Sequence, residues 1–434
     1  MENESVKAIK LAAQPKATGE FVKYKGKSEA EYIGCITEWY IQKQPENSQE
    51  SAQRYIEDLF KKVKDYNERK ILLLVAKMSP RVVKIAEALK IKNFTIQILF
   101  FRKRAFDKRY SEHIATIADS FHICECAEEL MYEVALSKAK VIHCFSGMDA
   151  DIAAVLIQQK ELFPKIVHDK YDIVCEMYPD IRRRELYETD RFCLEHAEAL
   201  CCRGYEQEFL MKDAGYKISG DILQFFDYCN DANIEQRPPK KEILSVCYAG
   251  ALSTEREQPG SPLACILEFS ELCERNKCFF HVYPNEWDEI AYADYINLEK
   301  KNKYFRFHKP VAFEKLRKEL SQYDYEVVPI KSSFRQLEAN PYLSKNKCIY
   351  AATNKLFDAV DAGMPVIAAT PVKLAGYLEE KGVLINWCIE DFDFEQLRIM
   401  KKRGDIYRRV AAVRKELAVS NHIDELIHFY DTLT

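Results

Sequence analysis

Short apolar runs alternate with helix-length amphipathic stretches through most of this chain, and no other feature restricts its fold as much. The alternation begins at ILLLVAKM (Ile71–Met78). It continues through FTIQILFF (Phe94–Phe101), SFHICEC (Ser120–Cys126), KVIHCFSG (Lys140–Gly147), KIVHD (Lys165–Asp169) and LCCRG (Leu200–Gly204). Apolar runs without polar alternation suit strands buried on both faces, and strands separated by helices pair in parallel. The polar segment Asn230–Glu242, with its stiff Pro238-Pro239, interrupts the series and marks a domain boundary. Alternation resumes with ILSVCYAG (Ile243–Gly250), CFFHVY (Cys278–Tyr283), YEVVPI (Tyr325–Ile330), PVIAA (Pro365–Ala369) and VLINW (Val383–Trp387).

At 434 residues the chain has the length for two such domains. The expected class is α/β, with two Rossmann-like parallel-sheet domains, a helical N-terminal extension and a helical C-terminal tail. The expected limits are 1–66 for the extension, 67–235 and 243–415 for the sheet domains, and 416–434 for a last helix free to pack back on the first domain. Ligands of such sheets sit beyond the carboxyl ends of the strands, where the strand order reverses.

Composition narrows the function. A net charge of -4 with 30% charged residues gives no global reason to expect nucleic acid. The opening MENESVKAIKLAAQPKATGE lacks the basic-then-apolar pattern of a secretory leader. The longest clear apolar run, ILLLVA, is far shorter than the roughly 20 residues of a membrane-spanning helix. The 15 cysteines include no C-x-x-C pair, so neither a zinc ribbon nor a redox pair is expected, and so many unpatterned thiols fit a reducing cytoplasm. Asp149-Ala150-Asp151 precedes IAAVLI and reads as the cap and first turn of a helix, not as a metal site. No metal and no cofactor are expected.

The most informative stretch is NKLFDAVDAGMPVIAAT, Asn354 to Thr370. A helix starting near Asn354 exposes unpaired amides and the positive end of its dipole, which together attract phosphate. Lys355 adds a full charge there, and Asp358 follows one turn later on roughly the same face. Gly363 should end the helix in a left-handed conformation, and Pro365 prevents its continuation. Taken alone, the stretch favours a plainer reading, with a surface lysine, a helix-face carboxylate and a C-cap.

The order of elements, together with KLFDAVDAGMPVIA, resembles the GT-B nucleotide-sugar glycosyltransferases. It is closest in pattern to the large retaining group of glycogen-synthase-like and mannosyltransferase-like enzymes. CYAGAL (Cys247–Leu252), QYDYEVVPI (Gln322–Ile330), VIHCFSG and KIVHD fall in the matching order, and the resemblance runs from about Ile71 to the end. It implies two domains facing across a cleft and transfer of a sugar, with retention, from a nucleotide-diphosphate sugar as donor. Lys355 and Arg256 would face the leaving diphosphate as catalytic residues. Gly250, Asn354, Lys355, Asp358 and Thr370 would bind the donor, with Asp358 on the ribose. His143, Ser146, Gly147, His168 and Asp169 would line the acceptor side, although His143 reads equally as a buried strand histidine. The acceptor would be a glycan, a lipid-linked molecule or a protein.

Two positions depart from the pattern: Ala351 stands where relatives often carry an acid, and AKMSPR (Ala76–Arg81) lacks the usual glycines. They keep open a catalytically silent protein that binds a nucleotide sugar, a glycan or a protein partner; an epimerase on the same frame is a third reading. Lys61–Tyr110 holds 15 Lys/Arg against four Asp/Glu. That segment could be a peripheral contact with anionic lipid at the inner face of a membrane, a site for an acidic acceptor, or a solvated face.

Overall fold

The computed structural model describes residues 19–102, 110–146, 150–170, 184–212, 214–231, 242–250, 252, 262–285, 287–328, 345–350, 354–368, 372–387 and 392–433. The expected site residues Gly147, Arg256 and Thr370, and also Asp149 and Ala351, lie outside them. The chain divides into two compact units. The first runs to Arg203 and includes Leu210–Gln224 and the C-terminal residues from Leu426; the second comprises Gly204–Phe209 and Phe225–Glu425.

The first unit is built on β1 (Asn67–Val75), β2 (Thr95–Phe101), β3 (Ser120–Cys124), β4 (Ala139–Phe145), β5 (Lys165–Lys170), β6 (Ala199–Cys202) and β7 (Asp221–Gln224). These form one sheet in the order β3-β2-β1-β4-β5-β6-β7, parallel throughout. The order reverses between β1 and β4. Every residue of β4, and Ile71–Val75 of β1, is buried, as central parallel strands covered by helices on both faces require.

The N-terminal helices belong to this unit. Ser28 and Glu31 form a reciprocal capping box at the start of the helix Glu29–Lys43, and Ser48 caps Gln49–Lys61. Tyr32 donates to the Val155 carbonyl at 3.0 Å, and the Phe60 ring meets Phe163 at 5.8 Å between centroids. The extension thereby packs onto the helix Asp151–Gln158 and the segment that follows it. At the other end, Lys140 pairs with Asp431 at 2.9 Å and His143 meets Tyr430, which ties the final helix to β4.

The second unit holds β8 (Ser245–Gly250), β9 (Phe279–Pro284), β10 (Phe305–Phe307), β11 (Tyr325–Val328), β12 (Val366–Ala368) and β13 (Leu384–Asn386). Their order is β10-β9-β8-β11-β12-β13, again parallel, with the reversal between β8 and β11. The helix Asn354–Asp361 lies in the crossover from β11 to β12. It therefore runs against the strands, and its N-terminus lies at the carboxyl end of the sheet. Its C-terminus closes as expected: Gly363 has φ 77, its N–H donates to the Val360 carbonyl, and the Met364 N–H donates to that of Ala359. That pair of bonds is the Schellman closure.

Among the described residues no helix is long and apolar enough to cross a membrane.

Candidate functional site

The reversal point of the second sheet gathers Gly250, Asn354, Lys355 and Asp358, the expected donor residues that lie among those described. β8 ends at Gly250, whose φ of +153 disfavours a side chain. The reason for glycine is steric as well. A Cβ there would lie 2.3 Å from Cε of Lys355, 3.0 Å from its Nζ and 3.4 Å from the Tyr248 hydroxyl. The Lys355 chain thus crosses the end of β8, and its ammonium lies 5.6 Å from the Tyr248 ring centroid, within cation–π range. Asn354, Lys355 and Asp358 are half-buried, whereas Leu356, Phe357, Ala359, Val360 and Asp361 on the opposite face are buried.

The C-terminal end of the same helix is fixed by charge. Asp361, buried, is 3.2 Å from Arg317 Nη1 and 3.1 Å from Arg414 Nη2, and it accepts the Asn230 N–H at 3.1 Å. Arg414 also donates through Nε to the Asp361 carbonyl at 2.9 Å. Two guanidinium groups therefore oppose the negative end of the helix dipole. The positive end is left to Lys355 and the strand ends.

Sequence reasoning missed one member of this group. Glu326 is 1% exposed on β11, in register with Cys247 of β8 and Val366 of β12. Burial, and next the negative charge of Asp358, hold its carboxyl well above the usual range; Lys355 and the Ala249 N–H act the other way. The signal was there in YEVVPI, a charged residue inside a run that otherwise suits a strand buried on both faces.

On the first unit, the acceptor-side residues divide. His143 is fully buried; Nδ1 meets the Tyr430 hydroxyl at 2.6 Å and Nε2 meets Asp169 Oδ2 at 3.1 Å. Asp169 also accepts from Arg81 Nε at 2.9 Å, and Arg81 Nη2 reaches Cys201 Sγ at 3.2 Å. Burial raises the Asp169 carboxyl, but the Arg81 guanidinium and the His143 hydrogen bond outweigh it and hold it at about 2. Burial pushes His143 down against the pull of Asp169, and it pushes the Cys201 thiol well up. His143, Asp169 and Cys201 bring three ligand-type atoms within 4.8 Å of one another. Arg81 bonds two of the three, so a guanidinium already supplies the positive charge there. His168 Nδ1 and Ser146 Oγ are buried without a hydrogen bond among the described residues. Burial, with Lys170 nearby, takes His168 down to about 3.

Several cations of the basic segment are engaged within the fold. Arg81 and Lys84 are buried, and Lys61, Lys90 and Arg102 pair with Asp58, Asp119 and Glu20.

No protein-family model matches the chain, and no curated protein sequence matches it. Solved structures do match. A glycosyltransferase from Rickettsia africae ESF-5 matches at a TM-score of 0.55 and 11% identity, over 85% of this chain and 99% of that one. WaaG, a glycosyltransferase involved in lipopolysaccharide biosynthesis, matches at 0.51 and 13% identity, over 83% and 99%. UDP-GlcNAc 2-epimerase from Neisseria meningitidis bound to UDP-GlcNAc matches at 0.51 and 10% identity, over 83% and 99%. At these identities the likeness is one of fold. The protein has a GT-B glycosyltransferase-like fold, made of two parallel-sheet α/β units.

Proposed function

We propose that the protein is a glycosyltransferase that takes a sugar from a nucleotide-diphosphate sugar with retention of configuration. The observation that carries this reading is the contact between Gly250 and Lys355. It holds an ammonium over the end of β8, beside the N-terminus of the Asn354–Asp361 helix, at the reversal point of a parallel sheet. Amides, dipole and ammonium there converge on a diphosphate, and Asp358 one turn on suits the ribose hydroxyls. The chemistry needs positive charge where the diphosphate leaves, and the departing phosphate oxygen takes the acceptor proton on the same face. Arg256 and Thr370 complete the donor set in this reading. The acceptor is a glycan, a lipid-linked molecule or a protein. Among the described residues nine free cysteines are buried, Cys124, Cys144, Cys193, Cys201, Cys202, Cys229, Cys247, Cys273 and Cys278, which fits a reducing cytoplasm.

The test is calorimetric titration and thermal shift with UDP, GDP, ADP, CMP and their sugars. One nucleoside diphosphate should bind and raise the melting point by mass action. A charge-assisted hydrogen bond is worth about 1.5–3 kcal/mol, so Lys355→Ala should weaken that affinity by about 10- to 150-fold. An unchanged affinity in a folded Lys355→Ala protein sinks the placement of the diphosphate. Tight binding with neither transfer nor donor hydrolysis would replace the transferase by a silent nucleotide-sugar-binding protein.

A further inference from the structure

Glu326 is not explained by the contacts that hold the second unit together. It stands on β11, one flank of the reversal point, where its carboxyl accepts the N–H of Ala249, next to Gly250, and feels the charges of Asp358 and Lys355 on the helix. Its Oε2 is buried and has no hydrogen bond among the described residues. A buried carboxyl oxygen left unpaired is strongly destabilising unless something binds it. Among the described residues, its register mates on the two flanking strands give it no partner either. Cys247, its register mate on β8, turns its thiol to Met364 Sδ at 3.9 Å, and Val366 on β12 is apolar.

Charge counting settles the form of the group. With both Glu326 and Asp358 ionised, two carboxylates would face the Lys355 ammonium and work against the binding of a diphosphate. Two carboxyl groups that share a low-dielectric site resolve this by keeping one proton. Asp358 is half-buried and Glu326 is fully buried, so the proton belongs on Glu326.

We propose that Glu326 is a ligand-binding residue of this site, donating a hydrogen bond from Oε2 to an oxygen of the bound nucleoside diphosphate. The assignment rests on the reading of the site as one for a nucleoside diphosphate. It makes the buried acid part of the anion cradle: Lys355 and the helix amides supply charge, and Glu326 supplies a neutral donor from the floor. No charge is brought in against the phosphate, and the Lys355 ammonium is not neutralised by a second carboxylate.

The experiment compares Glu326→Gln and Glu326→Leu, titrated calorimetrically with whichever of UDP, GDP and ADP binds the wild-type protein. Far-UV circular dichroism and melting establish the fold of each variant first, and Glu326→Met replaces the leucine variant if that one unfolds. Gln carries an N–H donor where the acid carries its proton and should bind within about threefold of wild type. Leu or Met has no donor and should bind at least tenfold more weakly, with an equal or higher melting point. Wild-type affinity in the apolar variant overturns the assignment, as does a folded Gln variant as weak as the apolar one. Loss of binding in Lys355→Ala beside unchanged binding in Glu326→Leu overturns the Glu326 assignment alone. If none of the three diphosphates binds the wild-type protein, both the assignment and the functional reading fall.

Discussion

Gly250→Ala tests whether the glycine serves the site through Lys355 or only through its own backbone. The new Cβ would sit 2.3 Å from Lys355 Cε. Carbon atoms in contact prefer about 3.5–4.0 Å, so the end of the lysine must retreat by more than about 1 Å. A charge-assisted N–H···O contact near 2.8 Å does not survive such a displacement. The affinity loss for the nucleoside diphosphate should therefore approach that of Lys355→Ala, at least about tenfold. Separately, φ of +153 strains any side chain, at about 1–3 kcal/mol of folding stability. A double-mutant cycle separates the two effects. In the Lys355→Ala background, Gly250→Ala should cost no further affinity, because the group it displaces is gone, while its stability loss should persist. Calorimetric titration and urea unfolding of the four proteins provide the measurements. If Gly250→Ala weakens binding equally in both backgrounds, the glycine does not act through the lysine and the geometric reasoning fails.

Asp361→Ala should destabilise the protein by about 3–5 kcal/mol in urea unfolding, because it leaves Arg317 and Arg414 buried without their shared carboxylate. Acid should weaken the fold through His168 and His143, whose folded pKa values both lie below the ordinary histidine value. Below about pH 6.5 the unfolded chain binds protons that the native state refuses, so stability is full above that pH and falls as pH drops toward about 3 for His168. Chemical unfolding at pH 7.5 and pH 5 should show the drop, and His168→Leu should reduce it; an equal drop in the variant would contradict the assignment.

What could be read in the sequence follows from how much each element buries. β1, β2, β4, β5, β8, β9 and β11 are the central strands and their neighbours, and their apolar runs mark them without reference to anything else. The sheet edges β7 and β10 leave no such run. DILQ is half exposed along its length, and FRF spans only three residues with an arginine at its centre. The helix Ala293–Lys301 was equally illegible: its sequence ADYINLEKK is mostly polar, with Tyr295 as its buried anchor. The Asn354 motif was legible because its parts are local: helix start, lysine, glycine stop and strand lie within one short stretch. The distant members of the His143 cluster were not. Tyr430, which meets His143, is 287 residues away; Arg81, which binds the Asp169 beside it, is in the helix after β1; neither carries a local sign of that meeting.

The short helix of the candidate donor site is anchored at its C-terminal end by closure, charge and burial together. Eight residues are too few for an independent helix in water, so Asn354–Asp361 must be held by its surroundings. Its C-terminal end carries several of the contacts that do so. The Schellman closure at Gly363, the Arg317 and Arg414 contacts to Asp361, and the buried stripe Leu356, Phe357 and Val360 fix the axis from behind. The N-terminal turn contributes half-buried Asn354 and Lys355, the latter braced on Gly250 and Tyr248. Substitutions behind the helix should therefore register first in folding, and substitutions at its front in ligand affinity. A chain that had only to close a β-α-β crossover would gain nothing from a glycine that admits a lysine over the end of β8, or from a buried acid beneath it.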